Sequence, residues 1–563
     1  MSIKQAEKLF DIMDALKELG FGIAVDPQHF TAHFNFLIKE NVRFFKTQLF
    51  ELCAYGFITK VAFDHWDTEK IIENMLVRWY PFYCEFSSRL FASDKISLND
   101  QKFQANAILQ QKISEGSHSR NVYTDIFVDE FQDVSPLDLQ FINSLVTHYK
   151  SHLVVVGDDD QTIFEFRGSS PNFIITPDRY FAGQFSTFTL GVNYRSPRNI
   201  VDISQKLIVR NKNRVPKAIS TSSVNDAEIA VVEKRDSAEL FEYVMNAVKT
   251  ELNGNLHQRI ALIARKRSQL LPYEVLFTKE GIDYFTPDDL NMFLDRAFSE
   301  LSNLLELKKK LLQHPEWVSS SDIMALCHKV GRYEIKKSDK LQLSTYLEQK
   351  LSAKTPDEVY FTLKGSGGCC QFMNRDAGEK TKKEKFSDAC ARAVRDFLNA
   401  KTVSGTIQVF SEEFEGFAKD YGKSDDAIFY TDPPFYHLID FAAKYKADFD
   451  VFLHDIELTI AKSRTVSLRN DDDAGNANVN KRLHLTTALR IKGEEYDAVY
   501  VLDANAEIWP NKFAKESDEL ESERRLFYVA TTRARKKLLF AYSTCMRETL
   551  VAPSPYLNEM GLI

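Results

Sequence analysis

The chain has 563 residues, of which 44% are apolar and 27% charged, a balance that fits globular proteins and excludes disordered, collagen-like and coiled-coil architectures. At about 150 residues per domain, one small domain is excluded and three or four are expected. Lys and Arg number 72 against 80 Asp and Glu, a formal charge of −8, so any nucleic-acid surface has to be a local basic patch.

The first twenty residues place Leu9, Phe10, Met13, Leu16 and Leu19 at helical spacing between charges, unlike the unbroken apolar run of a signal peptide. Residues 1–115 continue in this texture, with aromatic and charged residues alternating and few breaks, and are expected to form a helical lobe. From Tyr123 the pattern changes to short apolar runs that end in acidic residues or Gly: Ile126-Phe127-Val128 before Asp129, and Leu153-Val154-Val155-Val156 before Gly157. Such runs suit strands of a parallel sheet buried on both faces, with ligands at their carboxyl ends. Similar runs at Ile260–Ala264, Ala498–Leu502 and Lys537–Ala541 predict a second α/β unit. Residues from about 311 to 470 are polar and helical in texture. Lysine runs at Lys308–Lys310 and Lys380–Lys385 are read as solvated helix faces, with contact to duplex phosphates the alternative, and Asn470–Asn478 as a linker.

The seven cysteines, Cys53, Cys84, Cys327, Cys369, Cys370, Cys390 and Cys545, form no regular framework, the pattern of a reduced, cytosolic protein. None has zinc-ligand spacing. No stretch reaches the roughly 18 apolar residues of a membrane span.

Three strings carry chemistry. Asp129-Glu130-Phe131-Gln132-Asp133 follows an apolar strand and delivers two adjacent carboxylates, enough to hold Mg²⁺ and to orient an attacking water in phosphoryl transfer; an acidic strand end facing solvent is the bland alternative. Gly157-Asp158-Asp159-Asp160-Gln161 sets a glutamine at a second strand end, followed by Phe164 and Phe166, aromatics able to stack on bases or to fill a core. Asn193-Tyr194-Arg195-Ser196 sets a planar ring beside a guanidinium, suited to a purine and a phosphate.

In this order and spacing the three strings resemble motifs II, III and IV of the UvrD/Rep/PcrA family of superfamily 1 helicases. Thr487–Glu495 resembles motif V and Glu523–Ala534 motif VI. The resemblance implies an α/β fold of two RecA-like parallel-sheet motor domains, the first incomplete, with helical insertions like the family's 1B and 2B subdomains. On that reading residues 1–115 are the 1B-like lobe, 116–200 the rest of the first motor domain, 201–310 with 480–563 the second, and 311–479 the 2B-like insertion and linker.

By the same resemblance, Asp129 coordinates Mg²⁺, Glu130 polarises the attacking water and Gln161 senses the γ-phosphate of ATP. Arg195 and Arg533 stabilise charge on the transferring phosphoryl group. Tyr194 stacks on adenine, Glu495 meets the ribose, Phe164 and Phe166 stack on bases of single-stranded DNA, and Thr487 touches its backbone. Phe166 stands where the family usually has Trp, Leu489 where it commonly has His, and Glu494 where it has an apolar residue.

A phosphate loop, G-x-x-x-x-G-K-[ST] between strand and helix, is not found ahead of Asp129. Gly422-Lys423-Ser424 lacks both the upstream Gly and the strand, and Gly365–Gly368 lacks the Lys. Three origins fit: one half of a split helicase whose partner protein supplies the loop and covers the exposed sheet edge, a late start or truncation, or a remnant that does not hydrolyse ATP. Asp432-Pro433-Pro434-Phe435 matches an amino-methyltransferase string without that family's cofactor loop and is read as a turn. Every catalytic side chain outside the phosphate loop is present, so the expected function is a cytoplasmic, Mg-ATP-driven 3′→5′ translocase on single-stranded DNA. The rival is a non-hydrolysing scaffold that binds DNA or a partner protein.

Overall fold

The computed structural model describes all residues except 1–2, 22–26, 41, 94, 117–122, 224, 288–289, 295, 315–318, 330–336, 352–354, 365–379, 414–434 and 473–481. The Gly365–Gly368 and Gly422–Ser424 strings, the cysteines at 369–370, and all but Phe435 of the Asp432–Phe435 string therefore lie outside the described residues, as does most of the Asn470–Asn478 stretch. Two compact units emerge: residues 1–193 with 205–220 and 515–529, and residues 194–204 with 221–514 and 530–563. Among the described residues no helix is long and apolar enough to cross a membrane.

Among the described residues, the first unit opens with the α-helices α1 (Ile3–Glu18), α2 (Pro27–Lys39), α3 (Arg43–Ala54), α4 (Lys60–Asp64), α5 (Thr68–Asn74), α6 (Tyr80–Ala92) and α7 (Leu98–Ser114). The helical spacing of the first twenty residues turns Leu9, Met13, Leu16 and Leu19 into one core with Phe34, Phe45 and Trp79. Lys17 is 2% exposed and gives its ammonium to Asp100, in the first turn of α7. Burial acts to raise the Asp100 pKa, but the hydrogen bonds and charge of Lys17 and the Ser97 cap outweigh it and hold the carboxyl below its ordinary range.

The parallel strands β1 (Asp125–Val128) and β2 (His152–Val155) pair with Asp125 opposite His152. Between them runs α8 (Pro136–Tyr149). It starts where it does because Ser135 and Asp138 form a capping box and Pro136 needs no amide partner, an arrangement whose loss costs about 1 kcal/mol. Leu139 and Ile142 of α8 pack, with Phe131 and Phe173, on Val128, Leu153 and Val155. The opposite face is open: Phe127 is 73% exposed, Val154 40% and Val156 46%. The two-sided burial expected of these strands is therefore corrected. Only one layer of helix packs on this sheet among the described residues, so alternate side chains face outward. Beyond this sheet come α9 (Pro171–Ile175), β3 (Val192–Asn193), α10 (Arg198–Ile208) and β4 (Ser220–Thr221).

The second unit holds a six-stranded sheet of β5 (Glu228–Asp236), β6 (Ile260–Ala264), β7 (Leu483–Thr487), β8 (Tyr496–Val501), β9 (Ala534–Met546) and β10 (Thr549–Leu550). The strand order is β10-β9-β8-β6-β7, with β5 also on β9, and every pairing but β10 with β9 is parallel. Here two-sided burial holds, with every residue of β6 and β7 buried. Helices α11 (Ser237–Gly254) and α12 (Leu271–Lys279) follow β5 and β6, and the chain between Arg296 and Asp472 is helical wherever a regular element is described. Mixed α/β units with parallel sheets agree with the expectation of two RecA-like motor domains.

Within the lysine run at Lys308–Lys310, Lys310 is exposed as expected of a solvated face, but Lys308 is not. Lys308 is 1% exposed and donates to Phe397 O and Leu398 O at 2.7 and 2.8 Å, satisfying carbonyls at the carboxyl end of the Lys380–Asn399 helix. Burial pushes its pKa down to about 8. Lys309 reaches Asp450 at 2.5 Å and Lys310 reaches Asp322 at 3.5 Å. The side chains of Lys380–Lys385 lie outside the described residues.

Helix α12 is buried on nearly every side, and it carries Glu274 at 1% exposure. Burial pushes this carboxyl from 4.5 up to about 8, so the folded chain holds a proton that the unfolded chain has released. Stability from this group is whole below pH 4.5 and is lost as pH rises towards 8. Glu274→Gln is therefore expected to stabilise the second unit by about 1–3 kcal/mol at pH 7 and to flatten its pH dependence. Urea unfolding at pH 5 and pH 8 checks this: a variant no more stable than the parent at pH 8 contradicts it.

Candidate functional site

In the first unit, Asp129 and Glu130 end β1 as exposed carboxylates. Glu130 has φ +50°, a left-handed conformation costly for a residue with a side chain and concentrated at functional sites. Its amide donates to Asp129 Oδ1 at 2.9 Å. Gln132, fully buried, donates its side-chain amide to Glu130 Oε2, and its carbonyl oxygen accepts the Asp158 amide at 2.9 Å. The Asp158 carboxylate then accepts from Gln161 Nε2 at 2.7 Å. One hydrogen-bonded chain thus runs from Glu130 to Gln161 across the carboxyl ends of β1 and β2. Gly157 makes room for it, since a Cβ there would sit 2.3 Å from Gln132 Oε1.

Phe164 and Phe166 follow as half-buried rings, their centroids 5.9 Å apart and planes inclined at 60°. Asp158, Asp159 and Asp160 bring carboxylate oxygens within 4.8 Å of one another. Lys217 places its ammonium on all three, at 2.5, 2.6 and 3.0 Å, so the triad's charge is met from inside the protein. Burial acts to raise the Asp158 pKa, but the Lys217 charge and the bonds from Lys217 and Gln161 prevail and hold it below its ordinary range. In Asp160 burial prevails over Arg214 and Lys217, and its pKa is raised. The same carboxylates drive Lys217 well above the usual lysine range against the opposing effect of burial. The hard oxygen donors suited to Mg²⁺ are therefore the exposed Asp129 and Glu130, not the triad.

In the second unit, Tyr194 is 80% exposed beside Arg195. Arg195 Nε meets Glu495 Oε2 at 3.2 Å, and Arg535 meets the other oxygen of Glu495 at 2.9 Å. These side chains are more than a third exposed, and such pairs contribute about 0–1 kcal/mol, so an anionic ligand can compete for the arginine at little cost. Thr487 ends β7 as a buried residue. Arg533 is 1% exposed and donates to Glu494 O at 3.4 Å and Thr532 Oγ1 at 3.1 Å. The structure thus joins Glu130 with Gln161 in one unit, and Arg195 with Glu495 in the other.

Sequence reading did not single out Lys217, Arg214 or the network role of Gln132. The only local signal was the polar Gln132 one residue after the aromatic at 131.

Residues 8–182 match the family model of the UvrD/REP helicase N-terminal domain, and residues 188–350 and 375–544 that of the UvrD-like helicase C-terminal domain. A probable DNA helicase II homolog from Mycoplasma capricolum is 24% identical over 85% of this chain and 64% of its own length. The ATP-dependent DNA helicase PcrA from Staphylococcus aureus is 23% identical over 85% of this chain and 63% of its own. A putative ATP-dependent DNA helicase, YjcD, from Bacillus subtilis is 26% identical over 75% and 52%. The chain spans just under two thirds of the length of the first two of these relatives. With both family models matched across most of its residues, the chain belongs to the UvrD/REP family of superfamily 1 helicases.

Proposed function

We propose that the chain is the motor part of an ATP-dependent DNA translocase that moves 3′→5′ on single-stranded DNA. The observation that carries this reading is the hydrogen-bonded chain from Glu130 through Gln132 and Asp158 to Gln161. It holds a general base and a phosphate sensor in fixed relation, as hydrolysis of a phosphoanhydride requires.

Asp129 would hold Mg²⁺, which would supply positive charge against the phosphates. Glu130 takes the proton of the attacking water, and Gln161 hydrogen-bonds the γ-phosphate. Arg195 and Arg533 meet the charge that develops on the transferring phosphoryl group. Tyr194 stacks on adenine and Glu495 turns from Arg195 to the ribose. Phe164 and Phe166 stack on bases, and Thr487 lies against the DNA backbone. The domains are those outlined by the motifs: a 1B-like lobe over 1–115, motor domains over 116–200 and over 201–310 with 480–563, and a 2B-like insertion over 311–479. The protein works in the cytoplasm.

The phosphate loop, on this reading, comes from another segment or a partner protein. The open face of β1 and β2, lined by Phe127, Val154 and Val156, supports this, since parallel sheets are covered on both faces. Binding of a fluorescent oligothymidylate tests the DNA-facing part. Phe164→Ala and Phe166→Ala are each expected to weaken it by about tenfold, from about 1–3 kcal/mol of stacking per base. Unchanged affinity in both variants contradicts the assignment.

A further inference from the structure

The segment that follows α10 touches both the Asp158–Gln161 loop and the Ser517–Thr531 helix. On one side Arg214 donates to both oxygens of Asp160 at 2.9 and 2.7 Å, and Val215 N donates to Asp159 at 2.8 Å. Lys217 meets Asp158, Asp159 and Asp160. On the other side Asn211 donates to Glu521 O at 3.0 Å and accepts from Arg524 at 2.7 Å. The amides of Lys212 and Asn213 donate to the Glu521 carboxylate at 2.8 and 3.2 Å, and Arg525 donates to Asn213 O at 2.8 Å. Glu521, Arg524 and Arg525 all belong to the Ser517–Thr531 helix. Arg525, 1% exposed, also lies 3.5 Å from Glu165, between Phe164 and Phe166.

We propose that Asn211–Lys217 is a strap that couples the Ser517–Thr531 helix to the Asp158–Gln161 loop, with Lys217 the positioning residue that sets the Gln161 side chain. The inference rests on the reading of Gln161 as phosphate sensor. Asp158 has one oxygen on Lys217 and the other on Gln161. It is also the least buried of three crowded carboxylates. Without the ammonium, Arg214 alone faces three like charges, and Asp158 relieves the repulsion by turning to solvent, which takes it away from Gln161. A shift of the helix is passed to the same ammonium through the seven-residue strap, which is hydrogen-bonded to the helix at one end and to the aspartates at the other.

The test uses the full chain with ¹⁵N-labelled glutamine side chains, the Gln161 amide resonance being identified by its loss in Gln161→Met. Lys217→Met is expected to move that resonance, and Lys217→Arg to restore it. Asp158→Asn, which keeps the loop's shape, is expected to move it as well and serves where Lys217→Met fails to fold. In DNA-stimulated ATP turnover, Lys217→Met is expected to lower kcat about tenfold with KM for ATP unchanged within twofold. A Gln161 resonance unmoved in a folded Lys217→Met or Asp158→Asn chain overturns the proposal. A moved resonance with no turnover even when a polypeptide supplying a strand, phosphate loop and helix is added upholds the positioning and overturns the motor reading instead.

Discussion

Glu130→Gln is expected to lower single-stranded-DNA-stimulated ATP turnover by about 100-fold or more, the range of a lost general base, while leaving DNA affinity within twofold. The substitution keeps the side chain's length. It also preserves an acceptor for the Gln132 amide, so the chain of bonds to Gln161 survives and only the proton-accepting carboxylate is lost. The backbone at Glu130 is left-handed, φ +50°, and glutamine tolerates it no worse than glutamate. KM for ATP should stay unchanged, since an interaction made mainly in the transition state lowers kcat rather than binding. A loss of only a few-fold in steady-state assays would remove Glu130 from the base's role.

The second large effect is on stability. Arg214→Met leaves Asp160, which has no exposed surface, short of its bidentate partner. Lys217 remains 3.0 Å away but is shared with two other carboxylates. Breaking a buried pair from one side costs about 3–5 kcal/mol, whereas replacing both partners by apolar groups is often neutral. Arg214→Met is therefore expected to destabilise the first unit by about 3 kcal/mol, and the double variant Arg214→Met with Asp160→Leu to recover most of that loss. Urea unfolding followed by probes in each unit separates their transitions. A loss below about 1 kcal/mol for the single variant would falsify the claim that the pair holds the loop.

The sequence-to-structure relation differs between elements for physical reasons. Ile260–Ala264 is an unbroken apolar run and becomes a strand with every residue buried, because β7 and β8 flank it and helices cover it. Ile126–Val128 looks the same in sequence, yet Phe127 faces out. A run of three apolar residues says that a strand can be buried, not whether a layer is present to bury it. Lys308 reads as part of a charged run, and only the placement of the Lys380–Asn399 carboxyl end makes it a cap. The five motifs were legible because each is local. The strap was not: Lys217 lies 59 positions from Asp158, and Lys212 lies 309 from Glu521. No spacing rule links residues so far apart, and a lysine or arginine in a polar segment has no local mark of burial.

The most direct test is steady-state ATP hydrolysis by the purified chain with and without single-stranded DNA. It is run alone and together with a polypeptide supplying a strand, phosphate loop and helix, with Glu130→Gln as control. The account predicts DNA-stimulated turnover in at least the reconstituted sample, lost in Glu130→Gln. Absence of DNA-stimulated turnover in both samples, with single-stranded DNA still bound, would contradict it and leave a scaffold.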